Sequence, residues 1–139
     1  MASIRLSAAY PVSRDAVWKH LTDDALLGLW CMSSEGFALE KGRKFELRGE
    51  PSRFWDGVFH NTVIYYDPQA FLSYRCESRV PALDTVVTWK LVGTKDYTEL
   101  SLEHSGFRPV KDMFVRQALA SGWKRMLDCG LCGVLESVD

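Results

Sequence analysis

The spacing of apolar and polar positions changes along the chain, and each change predicts a different element. Residues 3–10 predict a first strand. Ser13 is placed to cap a helix over about Arg14–Leu21, and Thr22 is placed to cap a second short helix that carries Trp30. The chain therefore begins with a strand and two short helices.

From residue 36 onwards, the sequence predicts a run of antiparallel strands. Val87 and Trp89 fall on one face of the segment "LDTVVTWKLVG", and polar residues alternate with them. In "YTELSLEHSGF", Leu100, Leu102 and His104 share one face in the same way. One apolar face and one polar face are typical of an antiparallel sheet with a single solvated side.

After Pro109 the apolar positions recur at steps of three and four, which predicts one long C-terminal helix. Its apolar stripe is expected to contain Val110, Met113, Phe114, Ala118, Trp123, Met126, Leu127, Leu131, Val134 and Val138. The apolar face of a sheet must be covered, and no other predicted element is long enough to cover it. The predicted fold is α+β, with a curved sheet packed on this helix.

Length and composition limit the class of protein. The 139 residues predict a single domain, 1–139, and 47% hydrophobic residues can supply its core. The net charge of −1 and the absence of a basic block argue against nucleic-acid binding. The run "ALLGLWCM" is too short for membrane insertion, and the N-terminus lacks a signal-peptide pattern. We expect a cytoplasmic protein with reduced thiols.

The motif "DCGLCG" places Cys129 and Cys132 two residues apart, a spacing found in redox dithiols and in zinc sites. At about 100° per residue, they fall about 200° and 140° from Leu127, on the back of the helix. Redox dithiols favour helix N-termini, whereas these cysteines lie near a C-terminus. Zinc needs four ligands, and Cys31 and Cys76 form no second pair. We predict free thiols and no metal site; redox or metal chemistry is the alternative.

Two glycines, Gly130 and Gly133, lie beside these cysteines and weaken the helix. Small residues there could admit a second subunit, so a homodimer is an open alternative.

No nucleophile, base and orienting group can be assembled from the sequence, so no catalytic residue is assigned and no cofactor is expected. His104 is predicted to point inward, and two interpretations stay open. It is either a hydrogen-bonded core histidine or an acid–base group that faces a cavity.

Large rings come from many separate elements, and this is the most distinctive feature of the composition. They are either core residues or the lining of a pocket for an apolar ligand, which His104 and Tyr74 would orient. The candidate ligand-binding residues are Trp30, Phe45, Trp55, Tyr74, Trp89, His104, Phe114 and Trp123.

Several segments, in order, resemble the START/SRPBCC superfamily and its AHSA-like branch. "YPVSRDAVWKHLTDDALLGLW" resembles the family's opening, and "WDGVFHNTVIYYDPQAFLSYRCE" resembles a strand pair. "VVTWKLVG", "YTELSLEHSGF" and "SGWKRMLDCGLCGVLE" resemble its later strands and last helix. The chain departs from the family pattern at the usual double tryptophan, which here is Trp30 followed by Cys31.

The resemblance implies a helix-grip fold, in which a curved antiparallel sheet grips the C-terminal helix around a cavity for apolar small molecules. The expected ligand is lipid-like or polyketide-like. Two other functions stay open: a cyclase- or hydrolase-like enzyme that uses His104, and a module that regulates a chaperone or another protein. The sequence shows no long exposed apolar patch for such a partner.

Overall fold

A computed structural model describes residues 2–136 and shows one antiparallel sheet of seven strands. The strands lie in the order β1-β7-β6-β5-β4-β3-β2. Their bounds are β1 Ala2–Tyr10, β2 Ser33–Glu35, β3 Lys44–Arg48, β4 Val58–Asp67, β5 Phe71–Ser78, β6 Leu83–Gly93 and β7 Thr98–Phe107. With the helices, this sheet forms the predicted α+β helix-grip fold.

The two short helices follow β1, as predicted, but the cap of the second one is one residue later than expected. Helix α1 is Arg14–Leu21, and the Ser13 hydroxyl accepts a hydrogen bond from the amide of Ala16. Helix α2 is Asp24–Trp30, and its cap is Asp23, whose carboxylate accepts from the amide of Leu26. Thr22 instead ends α1, where its hydroxyl donates to the carbonyl of Trp18 at 2.8 Å.

The predicted C-terminal helix is present but contains a π-helical segment. Helix α3, Met113–Arg125, runs into a π-helix, Met126–Leu131, and then into α4, Cys132–Leu135. The sequence pattern does not predict the π-helix. None of the helices within residues 2–136 has the length and apolar character needed to cross a bilayer.

The π-helix changes which side chains of this helix are buried. Trp123, Leu127, Leu131 and Leu135 are buried, at steps of four residues. In a regular α-helix such a row would drift around the axis by about 40° at each step, and the wider π turn compensates for this drift. The prediction that Val134 belongs to the buried stripe is therefore wrong by one residue, because Leu135 takes that place and Val134 is only partly buried.

The first part of the predicted stripe is also wrong. Val110 precedes α3 and is 82% exposed, Phe114 is 77% exposed, and Ala118 is exposed. Val115 and Leu119 pack against the core instead. The last predicted member, Val138, lies outside the described residues.

Gly130 has an explanation within the chain itself. A Cβ atom at Gly130 would lie 2.6 Å from the carbonyl oxygen of Trp30, at the end of α2. At Gly130, the surface that approaches the helix closely is therefore the Trp30 backbone of the same chain and not a second subunit. A Cβ at Gly133 would meet nothing within 4 Å.

Candidate functional site

Many of the predicted ligand-binding rings are brought together, and they pack against one another. Trp89 contacts Trp30 and Trp123 edge-on, with ring centroids 6.1 and 5.5 Å apart. Phe45 contacts Tyr74 in the same way at 5.1 Å. These five side chains are all buried, so they form an aromatic core between sheet and helix.

The polar atoms of these rings are also occupied. The indole N–H of Trp89 donates to the Tyr74 hydroxyl at 3.1 Å, and that of Trp30 donates to the carbonyl of His20 at 2.8 Å. Burial raises the pKa of Tyr74, so its phenol stays neutral. Within this core, the Tyr74 hydroxyl is hydrogen-bonded to the Trp89 ring and does not face an open pocket.

His104 points inward, as predicted, and is 0% exposed. The Trp123 indole N–H donates to its Nδ1 at 3.1 Å, so Nδ1 carries no proton. Nε2 therefore carries the proton and donates to the Thr85 hydroxyl at 2.7 Å, which donates to the carbonyl of Cys76. Burial lowers the pKa of His104 to about 3, so this histidine is a neutral link in a buried hydrogen-bond chain.

An apolar cleft of about 510 Å³ lies beside this core. It is bounded by α3, by the loop 49–57 and by the ends of β4 and β6. Trp55 and Trp123 are the predicted ligand-binding residues that line it. Sequence reasoning missed its other main apolar residues, which are Met32, Phe54, Phe59, Leu83, Leu119 and Met126.

The loop 49–57 forms one wall of the cleft and is closed at its base by its two glycines. The amide of Gly49 donates to the carbonyl of Gly57 at 2.9 Å. A Cβ at Gly49 would lie 2.9 Å from the Trp55 ring, so this glycine leaves room for the indole. Trp55 in turn packs on Phe59 at 4.9 Å between ring centroids. The adjacent rings of Phe54 and Trp55, inside the Gly- and Pro-containing segment "GEPSRFWDG", are the signal that could have predicted this wall.

Both charge signs are present in the cleft lining. Glu50 and Arg125 line the cleft, and neither forms an ion pair with another residue in the range 2–136. A ligand with a polar end would find charged groups there, while the rest of the lining is mainly apolar.

Phe114 is not brought to the other candidate residues as expected. Its side chain is exposed, although Ala118, one turn further along α3, lines the cleft. Phe114 therefore lies outside both the aromatic core and the cleft wall.

The four cysteines are free thiols. Cys129 is exposed, as expected for the back of the helix, but Cys132 is partly buried and packs against the core, so its predicted position is wrong. Across the described part of the chain, no group of three or more His, Cys, Asp or Glu side chains could hold a metal ion.

The sequence from residue 11 to residue 135 matches the family of activator of Hsp90 ATPase homolog 1-like proteins. The chain belongs to this AHSA1-like family. It is thus an AHSA-like member of the START/SRPBCC superfamily, as the sequence motifs indicated. No curated protein matches this AHSA1-like chain in sequence.

Solved structures share the whole fold of this AHSA1-like protein. Protein MLL2253 from Mesorhizobium loti is 26% identical, with a TM-score of 0.87 and 99% of both chains covered. DynU16, from the dynemicin biosynthetic locus, is 23% identical with a TM-score of 0.78, covering 97% of this chain and 47% of DynU16. The Aha1 dimer from Colwellia psychrerythraea is 16% identical with a TM-score of 0.70, covering 94% of this chain and 96% of the other.

Proposed function

We propose that this AHSA1-like protein binds an apolar or aromatic small molecule in the cleft beside α3. The observation that supports the proposal most directly is the cleft itself. Its volume of about 510 Å³ lies within the usual range for small-molecule sites, about 300–1,000 Å³. Mainly apolar walls with a few polar groups are typical of such sites.

The shape of the cleft favours an elongated ligand. Its helical wall extends from Val115 to Met126, about 16 Å at 1.5 Å per residue. Trp55 and Phe59 supply flat surfaces along the opposite wall. The candidate ligand-contacting residues are therefore Trp55 and Trp123, whereas Trp30, Phe45, Tyr74, Trp89 and His104 do not line the cleft. Trp89 and His104 contact Trp123 from the side of the core.

DynU16, from the dynemicin biosynthetic locus, shares the fold. At 23% identity that likeness supports the fold alone. The proposed ligand class consequently rests on the cleft and not on DynU16.

Gly122 offers a sharp test, because it lines the cleft and a Cβ there would meet nothing within 4 Å. We expect an apolar fluorescent probe to bind the native protein and Gly122→Phe to weaken that binding at least about tenfold by filling the cleft. Gly133→Phe is the matched control, since Gly133 is also helical and open but does not line the cleft. Equal probe binding by the two variants, or no binding by the native protein, would refute the proposal.

The geometry does not favour the acid–base alternative. His104 is fully buried, both of its ring nitrogens are hydrogen-bonded within the chain, and it does not line the cleft. A general base must reach the proton that it removes, and this imidazole has no contact with the cleft. Regulation of a chaperone stays a prediction without a structural observation in its favour.

A further inference from the structure

Four of the nine large apolar side chains that are exposed among the described residues lie on three segments beside the cleft. Phe54 and Phe114 are 74% and 77% exposed, and Val80 and Val110 are exposed as well. We call these four residues the rim. Exposed apolar groups bordered by polar residues mark surfaces that contact a partner or a membrane.

Hydrogen bonds hold the three segments that carry the rim next to one another. The amide of Asp56, in the loop 49–57, donates to the carbonyl of Val80 at 3.0 Å. The Arg108 guanidinium donates to the carbonyl of Ala82 at 3.1 Å, and it also pairs with Asp112 at the start of α3. The rim is therefore one continuous surface built from separate parts of the chain.

Each of the three segments also carries an exposed cation directly beside its apolar side chain. Arg53 precedes Phe54, Arg79 precedes Val80, and Lys111 follows Val110. None of these cations forms an ion pair within the described residues, although many other cations of the protein do. Burying such a surface against a neutral partner would leave these charges without partners.

The acidic groups near the rim do not cancel this charge. Asp112 is held by Arg108, and of the carboxylates that border one pocket with Arg79, Glu77 pairs with Arg75 and Glu46 with Arg48. This leaves Glu35 beside Arg79, and Glu50 and Asp56 in the loop 49–57. Arg116, two residues after Phe114, adds one more cation on α3 without an ion pair among the described residues. Four unpaired cations at or beside the rim thus stand against three unpaired carboxylates, which leaves a small positive excess on a chain whose formal net charge is −1.

We propose that the rim docks this protein on an anionic lipid surface, with the apolar tips among the headgroups and the cations against the lipid charges. Apolar side chains beside cations are the combination that binds peripheral proteins to anionic bilayers. A second copy of the chain fits less well, because Arg53, Arg79 and Lys111 would then face their own counterparts. The proposal goes beyond ligand binding in the cleft and does not depend on it.

Co-sedimentation with vesicles tests this directly, using phosphatidylcholine alone and phosphatidylcholine with phosphatidylglycerol in a two-to-one ratio. We expect binding to the anionic vesicles only, and release near 1 M salt, where the Debye length is about 3 Å. The triple variant R53Q/R79Q/K111Q should lose about fivefold in affinity for each cation removed. Phe54→Ser and Phe114→Ser should each weaken binding at least about tenfold.

Two matched controls lie at the opposite end of β6. Val92 is 71% exposed and lies nine residues beyond Leu83, about 30 Å along the strand. Val92→Ser and Lys95→Gln should leave vesicle binding unchanged. The side chains substituted in the rim and in the controls are all exposed, so every variant should keep its fold. Circular dichroism checks that each variant is folded.

Three results would overturn the proposal. The first is absence of binding to the anionic vesicles, and the second is an equal loss of binding in Phe54→Ser and Val92→Ser. The third is a dimer that Phe54→Ser converts to a monomer without any change in vesicle binding, since this would assign the rim to contact between copies of the chain.

Discussion

The hydroxyl of Tyr10, at the end of β1, donates a hydrogen bond to the carbonyl oxygen of Leu127 at 2.8 Å. Leu127 lies inside the π-helical segment, so this contact ties that segment to an edge strand. Burial, with a smaller contribution from Cys132 and Asp128, raises the pKa of Tyr10, and the phenol therefore remains a neutral donor.

Removing this hydroxyl should destabilise the fold. We expect Tyr10→Phe to lower the free energy of unfolding by about 1–3 kcal/mol, because the buried hydrogen bond to the Leu127 carbonyl is lost. Urea denaturation measures the difference. Tyr97→Phe is the control, since that side chain is half exposed, and it should change stability by less than about 0.5 kcal/mol. Equal effects of the two variants would show that the Tyr10 bond contributes nothing.

The two glycines of the CxxC region should respond to alanine with opposite signs. Gly130→Ala should destabilise by at least about 1–3 kcal/mol, the usual cost of overpacking, because its methyl group would press on the Trp30 backbone. Gly133→Ala meets no neighbour and should stabilise by up to about 1 kcal/mol through helix propensity. Thermal denaturation of both variants checks the prediction, and a stabilising Gly130→Ala would contradict it.

His104 should make stability depend on pH. Its pKa is about 3 in the folded state and 6.5 ordinarily, so between these values the unfolded chain binds a proton that the folded chain does not. The contribution of this residue is therefore fully present above about pH 6.5 and is lost as the pH falls towards 3. Urea denaturation between pH 7 and pH 4 should show a shallower decline for His104→Gln than for the native protein.

A second measurement covers the case in which His104→Gln does not fold. The ¹⁵N signals of the native His104 ring should show the neutral Nε2–H tautomer and no titration from about pH 7 to pH 5. A midpoint near the ordinary value of 6.5 would contradict the prediction. Arg75 and Arg108 lower the carboxyl pKa values of Asp84 and Asp112. These two groups therefore contribute equally to the pH dependence of stability in the native protein and in the variant.

The thiols should differ sharply in reactivity. Cys129 is exposed and should react readily with a thiol reagent in the native protein. Cys76 should react slowly until the chain unfolds, because it is buried and burial raises its pKa to about 12. A stoichiometric thiol titration, with and without denaturant, distinguishes the two classes.

Replacing both Cys129 and Cys132 by Ser should shift stability by no more than about 1 kcal/mol and leave probe binding intact. Metal analysis should find no zinc in the purified protein, as expected for a single CxxC without further ligands. Loss of the fold, or one zinc per chain, would mean that the CxxC is a structural metal site. Conversion of a dimer to a monomer would place the cysteines at an interface; the homodimer stays a prediction.

Local periodicity determined much of the architecture. Trp89 and His104 were predicted to face inward because alternate side chains of a strand point to opposite faces, and both are buried. Ser13 was recognised as a helix cap because capping depends on residues close together in the chain. The order of strands and helices follows from the same short-range patterns.

Tertiary structure decided which rings fill the core and which border open space. Trp89, Tyr74 and Trp123 come from distant parts of the chain, and only their mutual packing shows which of the predicted rings fill the core. The cleft lies between α3 and Trp55, and the position of Trp55 depends on the missing Cβ of Gly49. The sequence pattern alone predicts neither the packing of these rings nor the close approach of Trp55 to Gly49.

The burial of the C-terminal helix was likewise set by long-range contacts. Regular 3.6-residue periodicity assigns Val134 to the buried stripe, but the π-helix gives that place to Leu135. That segment is held by Tyr10 through Leu127 and packs closely on Trp30 at Gly130. Both contacts join residues about a hundred positions apart, so their effect on the helix exists only in the folded chain.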